Sequence, residues 1–148
     1  MKILVLGGAG IVGRAITKDL VAQPDVHQVV VGDLNVKRAE DYLTKLGSPK
    51  ASVERIDVGE HDRLVGRMKG FDVIANCVYY NTILPVTRAA LEAKVHIVDL
   101  GGFFYGTIKQ MELDGEAKKA GVTLLHGCGS GLCADRRLRR RNILSGAG

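Results

Sequence analysis

Three glycines and one aspartate carry the first chemistry that can be read from this chain. Gly8-x-Gly10-x-x-Gly13 follows the short apolar run Ile3–Leu6, and Asp33 stands twenty positions beyond the last glycine at the end of a second apolar run. This triplet between a strand and a helix, with a carboxylate at that distance, is the dinucleotide-binding fingerprint in its required context. Gly8 allows the tight turn out of the strand. Gly10 lets backbone approach a pyrophosphate without a Cβ in the way, and Gly13 lets the helix sit close on the sheet. The open N–H groups and positive dipole end of that helix then meet the phosphates.

Asp33 decides which dinucleotide is expected. At the end of its strand the carboxylate accepts from the adenosine ribose hydroxyls and repels a 2′-phosphate, which favours NAD over NADP. Lys37 and Arg38 follow closely and would neutralise a 2′-phosphate if Asp33 turned aside; their plainer reading is a solvated helix face. Asp57 ends a third apolar run where an adenine ring should pass, and Val58 offers an apolar contact or a backbone N–H. Asn76 closes a fourth run near the centre of the cleft. As a buried amide it needs partners, either local backbone or the cofactor.

Hydride transfer asks the protein for position and for a group that moves a proton. No residue identifies itself in that second role, so the catalytic residue stays unassigned. His27, His61, His96 and His126 show no metal-ligand spacing with one another or with cysteine, and no metal is expected. Only His126 falls at the carboxyl end of a predicted strand. Cys128 and Cys133 are not a CxxC pair. Tyr79, Tyr80 and Tyr105 are candidates for the cleft rim, with aromatic packing as their ordinary explanation.

These residues need a scaffold, and the chain supplies apolar and amphipathic segments in alternation. Strands are predicted at Ile3–Leu6, Gln28–Val31, Ser52–Ile56, Val73–Cys77, His96–Leu100 and Val122–Leu125. The first helix carries Val12, Ala15, Ile16 and Leu20 on one face and stops at Gln23-Pro24-Asp25. The second has Asn35 as N-cap and Gly47 as its end. A short polar helix at about 62–69, one at about 84–94 and a fifth holding Gln110–Ala120 complete the set. This is an α/β pattern of the Rossmann type, a doubly wound parallel sheet of about six strands in the order 3-2-1-4-5-6, with ligands at the carboxyl ends.

Bulk properties bound the rest. A chain of 148 residues with 46% hydrophobic and 25% charged residues is ordinary for one soluble domain. Three cysteines make no paired framework, no signal peptide opens the chain, and no apolar run reaches the length of a membrane span. A cytoplasmic protein with no membrane partner is expected. The net charge of +5 is concentrated in the last sixteen residues, where five arginines face one aspartate. With no interleaved aromatics and no reading module, nucleic acid is not an expected partner.

The stretch from Asn76-Cys-Val-Tyr-Tyr-Asn through Ala89-Ala-Leu-Glu-Ala-Lys-Val-His-Ile-Val-Asp-Leu-Gly-Gly102, with Met111-Glu-Leu and Ala120-Gly-Val-Thr-Leu124, resembles the saccharopine dehydrogenase-like family. The likeness covers about residues 1–132. It implies NAD(P)-dependent oxidation or reduction at a carbon–nitrogen bond of an amino acid. It also implies cofactor contacts from Gly8, Ala9, Gly10, Ile11, Val12 and Gly13, from Asp33 and Asp57, and from Asn76, Cys77 and Val78. Relatives of this kind continue through a Pro-Gly turn into a substrate and dimerisation domain, so an amino-acid substrate and a homodimer belong to the full-length pattern.

Here His126-Gly-Cys-Gly-Ser-Gly-Leu-Cys133 lacks the proline and runs into an Arg-rich stretch. The expectation is a cofactor-binding domain over 1–132 and an atypical, disordered tail over 133–148, as a frameshift or truncation would leave. Such a chain binds cofactor without full activity. A different class of function stays open: the non-catalytic, nucleotide-sensing regulatory domains of potassium transport systems share this length and opening.

Overall fold

Four apolar residues in succession can be buried only where both faces of a strand are covered, and Ile3, Leu4, Val5 and Leu6 are all buried. They form β1 (Lys2–Leu6), the middle of the sheet in the computed structural model, which describes residues 1–129. After it come α1 (Ile11–Ala22), β2 (Gln28–Asp33), α2 (Val36–Leu46), β3 (Ala51–Arg55), α3 (His61–Met68) and β4 (Val73–Asn76). A 3₁₀ turn (Tyr80–Thr82) leads to α4 (Ile83–Ala93), β5 (His96–Asp99), α5 (Phe104–Met111), α6 (Asp114–Ala120) and β6 (Leu124–Leu125). The six strands lie in the order β3-β2-β1-β4-β5-β6 and every pairing is parallel. This is the Rossmann-type order expected from the alternation of segments.

Alternation along each strand builds two cores. Leu4, Leu6, Val30, Ile74 and Ile97 face α3 and α4, where Leu64, Met68, Val86 and Ala90 receive them. Ile3, Val5, Val29 and Ala75 face the other way, against Ile16 and Leu20 of α1. All the carboxyl ends therefore open on one edge.

The caps of α2 follow the sequence. Asn35 Oδ1 accepts from the Arg38 N–H at 3.0 Å, and Gly47 closes the helix with φ +64°. In nucleotide-free protein, Asn35→Ala should lower stability by about 1 kcal/mol, the usual worth of such a cap. A urea midpoint identical to that of the parent would show that the bond contributes nothing.

Two elements differ from the reading of the sequence. The single fifth helix is two, α5 and α6, broken at Glu112–Leu113. Leu113 is buried beside Leu91 and Ala117, which anchors the turn, while Asp114 and Glu116 favour a fresh helix start by facing its positive end. β6 is also shorter than Val122–Leu125. The Val122 N–H closes the end of α6 by donating to the Ala117 carbonyl, and the Thr123 N–H donates to His96 Nδ1, so neither N–H is free for the ladder, although the Thr123 carbonyl accepts from the Ile97 N–H. The expected tail over 133–148 lies outside the described residues.

Candidate functional site

β1 leads into the glycine loop through Gly7, whose φ is +73°. A Cβ at Gly7 would also stand 2.8 Å from the Cys77 carbonyl oxygen. The left-handed turn thus belongs to Gly7, one residue before the glycine to which the spacing assigned it. Gly8 is glycine because a Cβ there would lie 2.5 Å from Val31 Cγ1 on β2. At Gly13 a Cβ would lie 2.6 Å from the Gly8 Cα, so α1 closes directly onto the loop.

α1 starts after Gly10 and no side chain caps it. The N–H groups of Ile11, Val12 and Gly13 have no acceptor one turn back, which leaves three donors and the dipole end open. Ile11 and Val12 expose their side chains on the same rim, an unusual place for apolar surface. The Ala9 N–H is not among the open donors. It donates to Asp33 Oδ2 at 2.9 Å, and the Asn35 N–H donates to Asp33 Oδ1 at 2.9 Å. Both oxygens of Asp33 are therefore tied to backbone, and the side chain bridges the loop to the start of α2. Lys37 pairs with Asp41 at 2.7 Å, while the exposed Arg38 guanidinium has no partner among the described residues.

Between this bridge and β4 lies a cleft of about 260 Å³, with Gly7, Gly32 and Asp33 as its floor and Leu34, Ile56, Val58 and Val78 as apolar walls. Tyr79 and Thr82 close its far side. A flat heteroaromatic ring fits such walls. Asp57 does not line it. Its Oδ1 accepts from the Gly59 N–H at 2.9 Å, which turns the carboxylate into the bend before α3.

Asn76 is buried at the end of β4. Its Oδ1 accepts from the Val78 N–H at 3.4 Å, and its Nδ2 has no partner among the described residues. Cys77 contributes backbone rather than chemistry: burial pushes its thiol up to about 11, so it stays protonated near neutrality. The tyrosines form a ladder on the rim, with ring centroids 4.2 Å apart for Tyr79 and Tyr80 and 5.5 Å for Tyr80 and Phe103. Tyr105 continues it from Phe103 at 6.2 Å.

One pairing was not legible in the spacing. Asp99 ends β5 with 1% exposure, and its Oδ2 meets His126 Nδ1 at 2.6 Å and accepts from Gln110 Nε2 at 2.7 Å. Its Oδ1 accepts from the N–H groups of Gly101 and Gly127. Burial pushes the Asp99 carboxyl upward, but the donors from His126, the Gly127 backbone and Gln110 outweigh it and hold the group below the usual carboxylate range. The available signal was that adjacent strand ends both carry polar residues. Among the described residues no group of three or more His, Cys, Asp or Glu is placed to hold a metal, and no helix is long and apolar enough to cross a membrane.

Residues 3–125 match the family described as the saccharopine dehydrogenase NADP-binding domain. The chain belongs to this family. The saccharopine dehydrogenase-type domain is similar to the carboxyaminopropylagmatine dehydrogenase of Synechocystis sp. (strain ATCC 27184 / PCC 6803 / Kazusa), 24% identical over 136 residues, which are 86% of this chain and 34% of that protein. Apo saccharopine dehydrogenase (L-Glu forming) from Saccharomyces cerevisiae superimposes with a TM-score of 0.72 at 26% identity, covering 89% of this chain and 27% of that one. AtPrR2 with NADP+ and (+)pinoresinol shares the fold, with a TM-score of 0.64 at 19% identity over 84% of this chain and 48% of that chain. The chain spans about a third or less of the length of the first two.

These findings overturn the expectation of NAD. The family matched over residues 3–125 is described as an NADP-binding one. In the structure one Asp33 oxygen accepts from the Ala9 N–H of the glycine loop and the other from the Asn35 N–H before α2, and two cations, Lys37 and Arg38, follow on that helix.

Proposed function

We propose that this saccharopine dehydrogenase-type domain binds NADP(H) for hydride transfer at a carbon–nitrogen bond of an amino-acid substrate. The observation that carries the reading is the uncapped start of α1 beside an apolar cleft, with the exposed Arg38 on α2, four residues after the cleft-lining Leu34. In this reading the N–H groups of Ile11, Val12 and Gly13 hold the pyrophosphate. Leu34, Val58 and Val78 sandwich the adenine, and Asp33 keeps the loop in shape while its remaining lone pairs reach a ribose hydroxyl. Arg38, with Lys37 behind it, takes the 2′-phosphate. The unbonded Asn76 Nδ2 fits a carbonyl or ribose acceptor farther along the dinucleotide.

The nicotinamide, when bound, supplies the hydride chemistry, and this chain's task is position and exclusion of water. The amino-acid substrate is what the resemblance to the saccharopine dehydrogenase-like family implies. Titration calorimetry tests the cofactor assignment. NADP+ should bind at one site and more tightly than NAD+; equal affinities, or no heat from either, would sink it.

A further inference from the structure

The carboxyl ends of β4, β5 and β6 bring an amide, a carboxylate and an imidazole together. Asn76 and Asp99 are register partners on adjacent strands, and His126 follows β6 directly. Behind them runs a buried line of polar contacts. Gln110 Nε2 donates to Thr87 Oγ1 at 2.7 Å and to Asp99 Oδ2 at 2.7 Å, and Asp99 Oδ2 meets His126 Nδ1.

This line has a direction. An ionised carboxylate only accepts, so the hydrogen of a neutral His126 ring sits on Nδ1 and the lone pair on Nε2. Gln110 holds the carboxylate, and the carboxylate holds the ring. Nε2 itself is buried and has no partner among the described residues, and the same holds for Asn76 Nδ2 two strands away. A ring so fully anchored at one nitrogen and left unsatisfied at the other suits a second, transient partner better than a packing role. An apolar cavity of about 180 Å³ reaches the same ends, touching Asn76, Asp99, Val98 and Leu100.

We propose that His126 Nε2 is the proton acceptor for the reacting nitrogen, with Asp99 as its positioning residue. The proposal rests on the carbon–nitrogen oxidoreductase reading above. In the oxidative direction the N–H bond of the substrate ammonium breaks, its proton goes to Nε2, and the electron pair stays on nitrogen. That pair forms the C=N bond as the neighbouring carbon, oxidised, gives up a hydride to NADP+, which is reduced. Reversal returns the proton from the imidazolium.

Nitrogen NMR on the full chain labelled at histidine tests this without turnover. Where the ring is neutral, long-range correlations should show His126 with Nδ1 protonated and Nε2 bare. The His126 ring signals should shift on saturation with NADP+ and shift again with NADPH, because the nicotinamide loses its charge, while those of His27, His61 and His96 stay in place. A protonated Nε2 in the neutral ring would overturn the assignment. So would NADP+ binding, established by calorimetry on the same sample, with no response at His126. No binding at all would sink the NADP reading first and this proposal with it.

Asp99→Asn should weaken the Nδ1–H preference, and a variant that keeps it would remove Asp99 from the positioning role. Should that variant fail to fold, Gln110→Leu leaves both partners in place and should loosen the same preference. The wild-type spectra decide His126 in either case.

Discussion

Replacing Asp99 with alanine should destabilise the fold by about 3–5 kcal/mol, the scale of stranding several buried donors at about 1–3 kcal/mol each. The side chain is 1% exposed and serves four donors: Gln110 Nε2, His126 Nδ1 and the N–H groups of Gly101 and Gly127. Alanine strands all four, and only Gln110 keeps a second partner, Thr87. The pH dependence has a defined sign. Because the folded carboxyl is held below its usual range, its contribution is complete above about pH 4, the unfolded value, and is lost as pH falls through the lower folded value. Urea unfolding at neutral pH should show the large gap, and the gap should narrow in strong acid. A loss below about 1 kcal/mol at neutral pH would mean that water replaces the carboxylate.

Arg38→Glu should lower NADP+ affinity about 30- to 100-fold, the scale of losing a charge-assisted phosphate contact and gaining repulsion. NAD+, which has nothing for Arg38 to hold, should change by less than about threefold on the same scale. Arg38 is chosen over Lys37 because Lys37 is already paired with Asp41, whereas Arg38 is uncommitted among the described residues. The loss should shrink as salt rises, since the contact is exposed. Parallel losses for both cofactors would move the 2′-phosphate away from α2.

The sequence and the structure agree at the helix ends, where the deciding interaction is local. The open helix start after Gly10, the Asn35 cap and the Gly47 stop each depend on residues within a turn of one another, and each is found where the spacing puts it. The strand order follows from the alternation of segments, because parallel strands need helical crossovers. Agreement fails where the third dimension decides. The break between α5 and α6 depends on Leu113 meeting Leu91, twenty-two positions earlier. Asp99 and His126 are twenty-seven residues apart and meet only because β5 and β6 are neighbours. The preference between the two dinucleotides failed for a related reason: an aspartate in the expected place was read by its position, whereas its hydrogen bonds determine where its charge is directed.

Asp33 has a consequence of its own. By holding the N–H groups of Ala9 and Asn35 at the same time, it welds the phosphate loop to the first turn of α2 before any nucleotide arrives. The glycine loop proposed to meet the pyrophosphate and the helix that bears Arg38 are thus parts of a single stiff frame. A dinucleotide entering this frame loses its own freedom but does not have to freeze the protein's, so more of its contact energy survives as affinity. The spacing between its two anionic ends is then measured by a ruler that folding has already set.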